Sequence, residues 1–137
     1  MKPQGAITFF YYDDISPAVA FYEDVLGFER VEDQDWAVIF RAGVGAYVGV
    51  VDGARGSFQQ QDHNAVLLTL VVDDVDAWHA ALKAKGVLLW KEIRTVPDIE
   101  VRCFFIQDPG GYAIEIQQFL NAQVARTFAQ PSRQQTS

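Results

Sequence analysis

The chain repeats one pattern at an interval of sixty positions. Residues 7–14 (ITFFYYDD) and 67–74 (LLTLVVDD) are both strand-like runs that end in two aspartates and lead straight into a helical pattern. Further along, GAYVGVV from Gly45 corresponds to GYAIEIQ from Gly111. A repeated unit that cannot bury its own face is expected to share a core by stacking. The repeat therefore predicts an α+β fold made of two βαβββ modules.

Changes in composition predict where the modules begin and end. Ser16 is expected to be the N-cap of the first helix, with Pro17 at its first helical position. The polar end of the chain is expected to form a short helix followed by a frayed tail. The predicted segments are the first module 1–55, a linker 56–64, the second module 65–120 and a polar C-terminal tail 121–137.

The last strand pair carries an isolated charge among hydrophobic residues. Residues 104–117 (FFIQDPGGYAIEIQ) predict two strands joined at a tight turn, because proline cannot pair in mid-strand and glycine accepts positive φ. Alternation puts Glu115 on the face opposite to Ile114 and Ile116. A carboxylate in such a strand is expected to face a cavity, a partner charge or a metal.

Charge and composition limit the partners and the compartment. The formal net charge of −7 argues against nucleic acids and anionic membranes, which leaves a small organic molecule or another protein. No apolar run approaches the roughly 18 residues that span a bilayer, and the N-terminus lacks the pattern of a signal peptide. Cys103 is the single cysteine, so no intrachain disulfide forms, which fits a cytoplasmic location.

The pattern resembles the vicinal oxygen chelate superfamily of glyoxalase I, bleomycin-resistance proteins, fosfomycin-resistance enzymes and extradiol dioxygenases. Three segments carry the resemblance: DDISPAVAFYEDVLGFE (13–29), VVDDVDAWHAALKAKGV (71–87) and VRCFFIQDPGGYAIEI (101–116). The resemblance implies that two βαβββ modules curl their sheets around a cleft. It also implies a homodimer, since most members dimerise.

The resemblance also indicates where metal-using members hold their ion. Their ligands come from one position on the first strand and one on the last strand of each module. Glu115 matches the position on the last strand, and its counterpart in the first module is Gly49. The two first-strand positions fall on Ile7 and Leu67, which have no donor atoms. A divalent metal needs several converging donors, so we predict no metal and no cofactor.

Aromatic residues on alternating strand positions predict an apolar cavity, which the resemblance implies is the cleft between the modules. Phe9 and Tyr11 are expected to share one face of the first strand, and Trp36 and Phe40 one face of a hairpin. The predicted ligand-binding residues are Phe9, Tyr11, Trp36, Phe40, Trp90, Arg102, Phe104 and Glu115.

Glu115 has three interpretations, and they lead to two functions. It binds a cationic group of a ligand, acts as a general base in a desolvated cleft, or forms a structural pair with Arg102 or Tyr11. The first predicted function is a metal-free protein that holds an apolar or aromatic ligand between the modules. The alternative is a glyoxalase- or dioxygenase-like lyase or isomerase with Glu115 as its catalytic base.

Overall fold

The computed structural model describes residues 1–129, whose contacts form two compact units. The first unit comprises Met1–Val66 and Asp108–Tyr112, and the second comprises Leu67–Gln107 and the described residues from Ala113 onward. The tight turn at residues 108–112, predicted as part of the second module, thus belongs to the first unit. Within residues 1–129, no helix has the length and apolar character needed to cross a bilayer.

The first unit contains a four-stranded sheet with strand order β1-β4-β3-β2. β1 pairs in parallel with β4, and the other pairs are antiparallel. Helix α1 packs against β1 and β4 and continues into one π-helical turn at Phe21–Val25. The elements are β1 (Ile7–Tyr12), α1 (Ile15–Ala20), β2 (Glu29–Asp33), β3 (Ala37–Gly43) and β4 (Ala46–Asp52).

The second unit repeats this arrangement with strand order β5-β8-β7-β6, and again only its first and last strands are parallel. Its elements are β5 (Leu67–Val71), α2 (Val75–Ala84), β6 (Leu89–Val96), a 3-10 turn (Pro97–Ile99), β7 (Val101–Gln107), β8 (Ala113–Phe119) and α3 (Ala122–Phe128). The predicted α+β fold with two βαβββ modules is confirmed. The short C-terminal helix is also confirmed, whereas the predicted frayed tail at 130–137 lies outside the described residues.

The second aspartate of each repeated pair begins the helix that follows. Asp14 accepts a hydrogen bond from the backbone N–H of Ser16 at 3.0 Å, and Asp74 accepts one from Ala77 at 3.1 Å. Each carboxylate thus satisfies an N–H that the first helical turn leaves without a partner. The prediction of Ser16 as the N-cap was wrong, because Asp14 holds that position and Pro17 is the third helical residue.

Each helix covers one face of its sheet, and alternate side chains on that face form the core. In the first unit the buried strand residues are Phe10, Tyr12, Val38, Phe40, Val48 and Val50. In the second unit they include Leu70, Phe104, Ile106, Ile114 and Ile116. The opposite face of each sheet is not covered by α1 or α2, and Phe9, Tyr11 and Glu115 point to that face.

Candidate functional site

A cavity of about 400 Å³ lies in the first unit, on the sheet face opposite α1. Its aromatic walls are the side chains of Phe9, Tyr11 and Trp36, and we call it the aromatic pocket. Ala37, Ile39 and Val51 add apolar surface, and the polar lining residues are Glu32, Gln34, Arg55 and Ser57. Three predicted ligand-binding residues, from β1 and from the turn before β3, therefore meet around one cavity.

Two glycines make room for the aromatic walls. Gly49 pairs with Phe9 across β1 and β4, and a Cβ on Gly49 would lie 2.3 Å from the Phe9 ring. A Cβ on Gly56 would lie 2.7 Å from the ring of Tyr11. Both distances are far below van der Waals contact, so these rings fit close to the backbone only because the glycines have no side chain. Gly49, which the resemblance marked as an empty ligand position, thus supports the Phe9 ring.

Charged side chains border the same pocket. The guanidinium carbon of Arg55 lies 5.7 Å from the centroid of the Trp36 ring, within the range of a cation–π contact. The Glu32 carboxylate accepts a hydrogen bond from the backbone N–H of Asp33 at 2.9 Å. The loop after β4 also contributes Phe58, whose ring meets Tyr11 edge-on at 5.4 Å. The pocket therefore combines aromatic walls with one cation and one anion.

Asp108, at the start of the tight turn, positions the strand that carries Phe9 and Tyr11. Its Oδ1 accepts hydrogen bonds from the backbone N–H groups of Gly110 and Tyr112, both at 2.9 Å. Its Oδ2 accepts from the hydroxyl of Tyr12 and, at 2.8 Å, from that of Tyr22. Burial raises the pKa of the Asp108 carboxyl and of both phenols. The sequence indicated the turn but contained no signal for the two distant tyrosines.

The other hydrogen bonds of the turn also hold β1. The Tyr112 hydroxyl donates to the carbonyl oxygen of Tyr11 at 2.9 Å, and the Tyr112 ring stacks on Phe10 at 4.5 Å. The side-chain amide of Gln60 donates to the Gly110 carbonyl at 3.3 Å. The turn therefore fixes the back of the aromatic pocket through side chains that face away from the cavity.

Glu115 lies on the open face of the second unit and is 9% exposed. The hydroxyl of Thr69, its neighbour in the β5–β8 pairing, donates to Oε1 at 2.9 Å. The side-chain amide of Gln117 donates to Oε2 at 3.2 Å. Burial and a hydrogen bond to Glu115 raise the pKa of the Cys103 thiol. Glu115 is thus held by a hydroxyl, an amide and a thiol.

The donors around Glu115 do not fit a chelating metal site. Thr69 and Gln117 direct donor hydrogens toward the carboxylate, and Leu67 pairs with Ala113 instead of Glu115. A divalent ion needs several anionic or imidazole ligands at one point. Across residues 1–129, no three His, Cys, Asp or Glu side chains are grouped so that they would hold a metal ion.

Arg102 was predicted as a polar anchor for a ligand or as the partner of Glu115. The pair with Glu115 was wrong, and the ligand contact stays a prediction. Its guanidinium donates to the Asp76 carboxylate at 2.9 Å and to the Thr95 hydroxyl at 3.1 Å. This ion pair lowers the pKa of Asp76. Arg102 directly precedes Cys103 in β7, so its side chain points to the face opposite that of Glu115.

Phe40 and Phe104 also require correction as ligand-binding residues, since both side chains are fully buried. Phe40 lies 6.1 Å from the Tyr22 ring under α1, and Phe104 meets the His79 ring of α2 edge-on at 5.1 Å. Trp36 and Phe40 do not share a face because Trp36 lies in the turn before β3.

Trp90 contacts an aromatic residue that the sequence analysis missed. Trp90 is 52% exposed and meets Phe105 edge-on at 6.0 Å. Phe105 pairs with Glu115 across β7 and β8, so their side chains lie on the same sheet face. The Lys91 ammonium lies 5.0 Å from the Phe105 ring. β7 is apolar on both faces, so no alternation in the sequence singled out Phe105.

A comparison with known families identifies the superfamily of the chain. The family model described as Glyoxalase/Bleomycin resistance protein/Dioxygenase superfamily matches residues 6–116. The chain belongs to this superfamily. That match covers both βαβββ modules, so the resemblance in the three sequence segments is confirmed. No curated protein matches the chain.

Solved structures show the same fold. A lactoylglutathione lyase from Agrobacterium tumefaciens is 26% identical with a TM-score of 0.70, covering 86% of this chain and 96% of its own. A glyoxalase/bleomycin resistance protein/dioxygenase from Nocardioides is 17% identical with a TM-score of 0.73, and the match covers 97% of this chain and 90% of that protein. The fosfomycin resistance protein FosX from Listeria monocytogenes is 16% identical with a TM-score of 0.71, and the match covers 91% of this chain and 99% of that protein.

Proposed function

We propose that this member of the superfamily binds a small, flat organic molecule in the aromatic pocket. The observation that carries the proposal is the meeting of Phe9, Tyr11 and Trp36 around one cavity of about 400 Å³. Pockets for small molecules are typically of this size, mostly apolar, with a few polar groups that set orientation. The predicted homodimer and the predicted cleft between the modules stay predictions.

The aromatic walls favour a planar ligand for energetic reasons. An aromatic pair contributes about 0.5–1.5 kcal/mol beyond the burial of its surface. Phe9 is 42% exposed, so a ligand covering it would remove apolar surface from water. Gly49 and Gly56 leave room for the Phe9 and Tyr11 rings, so both rings are available to a ligand in the pocket.

A neutral bicyclic aromatic amide, 2-naphthamide, tests the proposal by isothermal titration calorimetry. Trp36→Ala is expected to weaken its binding about tenfold to a hundredfold, because that substitution removes one wall of the pocket. Trp90→Ala is the matched control, since it removes the same side chain from the second unit, outside the aromatic pocket. Absence of binding to the unaltered protein, or equal effects of the two substitutions, would contradict the proposal.

Two observations favour a second candidate function, a lyase activity that uses Glu115. This carboxylate is buried on the open face of the second unit, and the 26% identical structure is that of a lactoylglutathione lyase. Both carboxylate oxygens already accept hydrogen bonds, from Thr69 and Gln117. A base in this position would have to exchange one of those donors for its substrate, and this weighs against the lyase.

The lyase activity is tested by following thioester formation from glutathione and methylglyoxal, with and without added divalent metal. If Glu115 is the base, Glu115→Gln is expected to lower the rate by about 100-fold or more. Glu29→Gln is the control, since its carboxylate is exposed and pairs with Arg41 in the first unit. No thioester with the unaltered protein, or equal rates for both variants, would exclude this role.

A further inference from the structure

Arg55 is the cation of the aromatic pocket, and it differs from three other arginines in its partners. Arg30, Arg41 and Arg102 each form an ion pair with a carboxylate. In the part of the chain that the structure describes, no carboxylate pairs with the Arg55 side chain. Its contact is with the Trp36 ring. The pocket thus contains a positive charge whose donors have no carboxylate partner within residues 1–129.

The contact with Trp36 leaves those donors available to a ligand. A guanidinium carries five N–H donors that lie in its own plane. An aromatic ring attracts the cation through its π face and accepts none of these hydrogens in the plane. The same planar edge matches the two oxygens of a carboxylate or a similar oxyanion. Trp36 therefore orients Arg55 without consuming its capacity to bind an anion.

Glu32, the negative charge of the pocket, limits the charge that a ligand can carry. Glu32 accepts a backbone N–H from Asp33 and forms no ion pair with Arg55 among residues 1–129. A ligand with two anionic ends would be repelled at Glu32, whereas one with a single anionic group on one side avoids that repulsion. The lining therefore fits a molecule with one oxyanion and an otherwise uncharged aromatic body.

We propose that Arg55 is the specificity-determining residue of the aromatic pocket, which takes a flat aromatic molecule bearing one carboxylate or comparable oxyanion. This inference rests on the proposed function, since it names the ligand class of the same pocket. The aromatic walls bind the body of the ligand, and the guanidinium edge binds its anionic group.

A pair of probes that differ in charge and little in shape tests the inference. The unaltered protein is expected to bind 2-naphthoate at least about tenfold more tightly than 2-naphthamide, because a charge-assisted bidentate pair forms with the acid alone. Arg55→Gln is expected to remove this preference, which is measured as the ratio of the two affinities within the same variant. Arg126→Gln, which makes the same charge change in the second unit, is expected to retain the preference.

The outcomes separate this inference from the proposed function. If 2-naphthamide binds and Trp36→Ala weakens it, but naphthoate is not preferred, the pocket is an aromatic site and the role of Arg55 is refuted. A preference that persists in Arg55→Gln also refutes it. If the unaltered protein binds neither probe, the proposed function itself fails. Thermal unfolding of Arg55→Gln checks that the variant is folded.

Discussion

Asp108→Ala is expected to lower the free energy of unfolding by about 3–5 kcal/mol. The substitution leaves four donors without their acceptor: two backbone N–H groups of the turn and the hydroxyls of Tyr12 and Tyr22. An unsatisfied buried donor costs about 1–3 kcal/mol, and neighbouring losses are not additive. Urea unfolding followed by circular dichroism measures the change.

A matched control and a conservative substitution make this test more specific. Asp62→Ala, in an exposed loop, is expected to change stability by less than about 0.5 kcal/mol. Asp108→Asn preserves an acceptor for the turn and is expected to cost less than Asp108→Ala. If Asp108→Ala costs no more than Asp62→Ala, the tyrosine–carboxylate cluster does not stabilise the fold.

Burial raises the pKa of Asp108 above the ordinary value of 3.8, so the folded protein keeps this proton after the unfolded chain has lost it. Protonation of Asp108 therefore stabilises the folded state. This stabilisation is fully present below pH 3.8 and is lost as the pH rises through the raised pKa. The stability of the unaltered protein relative to Asp108→Asn should therefore be greatest at low pH. An unchanged difference across this range would contradict the raised pKa.

Gly110→Ala is expected to destabilise the protein by about 3 kcal/mol, although the neighbouring Gly111→Ala costs only about 1–2 kcal/mol. A Cβ on Gly110 would lie 2.6 Å from two carbons of the Tyr12 ring. That ring is 1% exposed and its hydroxyl is bound to Asp108, so it has no room to move. Gly111 has φ of +85° but no atom within 4 Å of its Cβ position, so only its backbone conformation opposes alanine.

The comparison of Gly110→Ala with Gly111→Ala separates two physical causes of destabilisation. Crowding against a fixed ring acts at Gly110, and a left-handed backbone acts at Gly111. Urea unfolding of both variants measures the difference. A greater loss for Gly111→Ala would show that the backbone conformation of the turn matters more than its packing on Tyr12.

Asp108→Ala and Gly110→Ala, the two substitutions next to Tyr12, also test how the turn supports the aromatic pocket. Tyr12 is adjacent to Tyr11 in β1, and the Tyr11 carbonyl accepts the hydrogen bond from Tyr112. A displaced Tyr12 ring would therefore shift the strand that carries Phe9 and Tyr11. We therefore expect changes in the tight turn to alter the aromatic pocket, even though the residues of the turn do not line the cavity.

Local periodicity was sufficient to predict much of the fold. The sixty-residue repeat predicted two βαβββ modules, and the alternation in β1 correctly placed Phe9 and Tyr11 opposite to the buried Phe10 and Tyr12. These features depend on the pleat of a strand, which has a period of two and is set by neighbouring residues.

Features that depend on partners distant in the chain were not predictable in this way. Trp36 was assigned to the same face as Phe40, but β3 begins at Ala37 and the alternation does not extend into the turn. Arg102 was assigned to Glu115, but it precedes Cys103 in β7 and points toward Asp76 of α2. Such contacts depend on where each strand begins and on its register, which composition and spacing do not specify.

The sequence by itself determined the repeated modules and the single carboxylate of β8, because each follows from patterns among residues close in the chain. Only the tertiary structure decided what those residues face. It brought Tyr12 and Tyr22 to Asp108, Thr69 to Glu115, and Arg55 over Trp36. Strand pairing and loop closure select these partners, and neither is encoded within a short window of sequence.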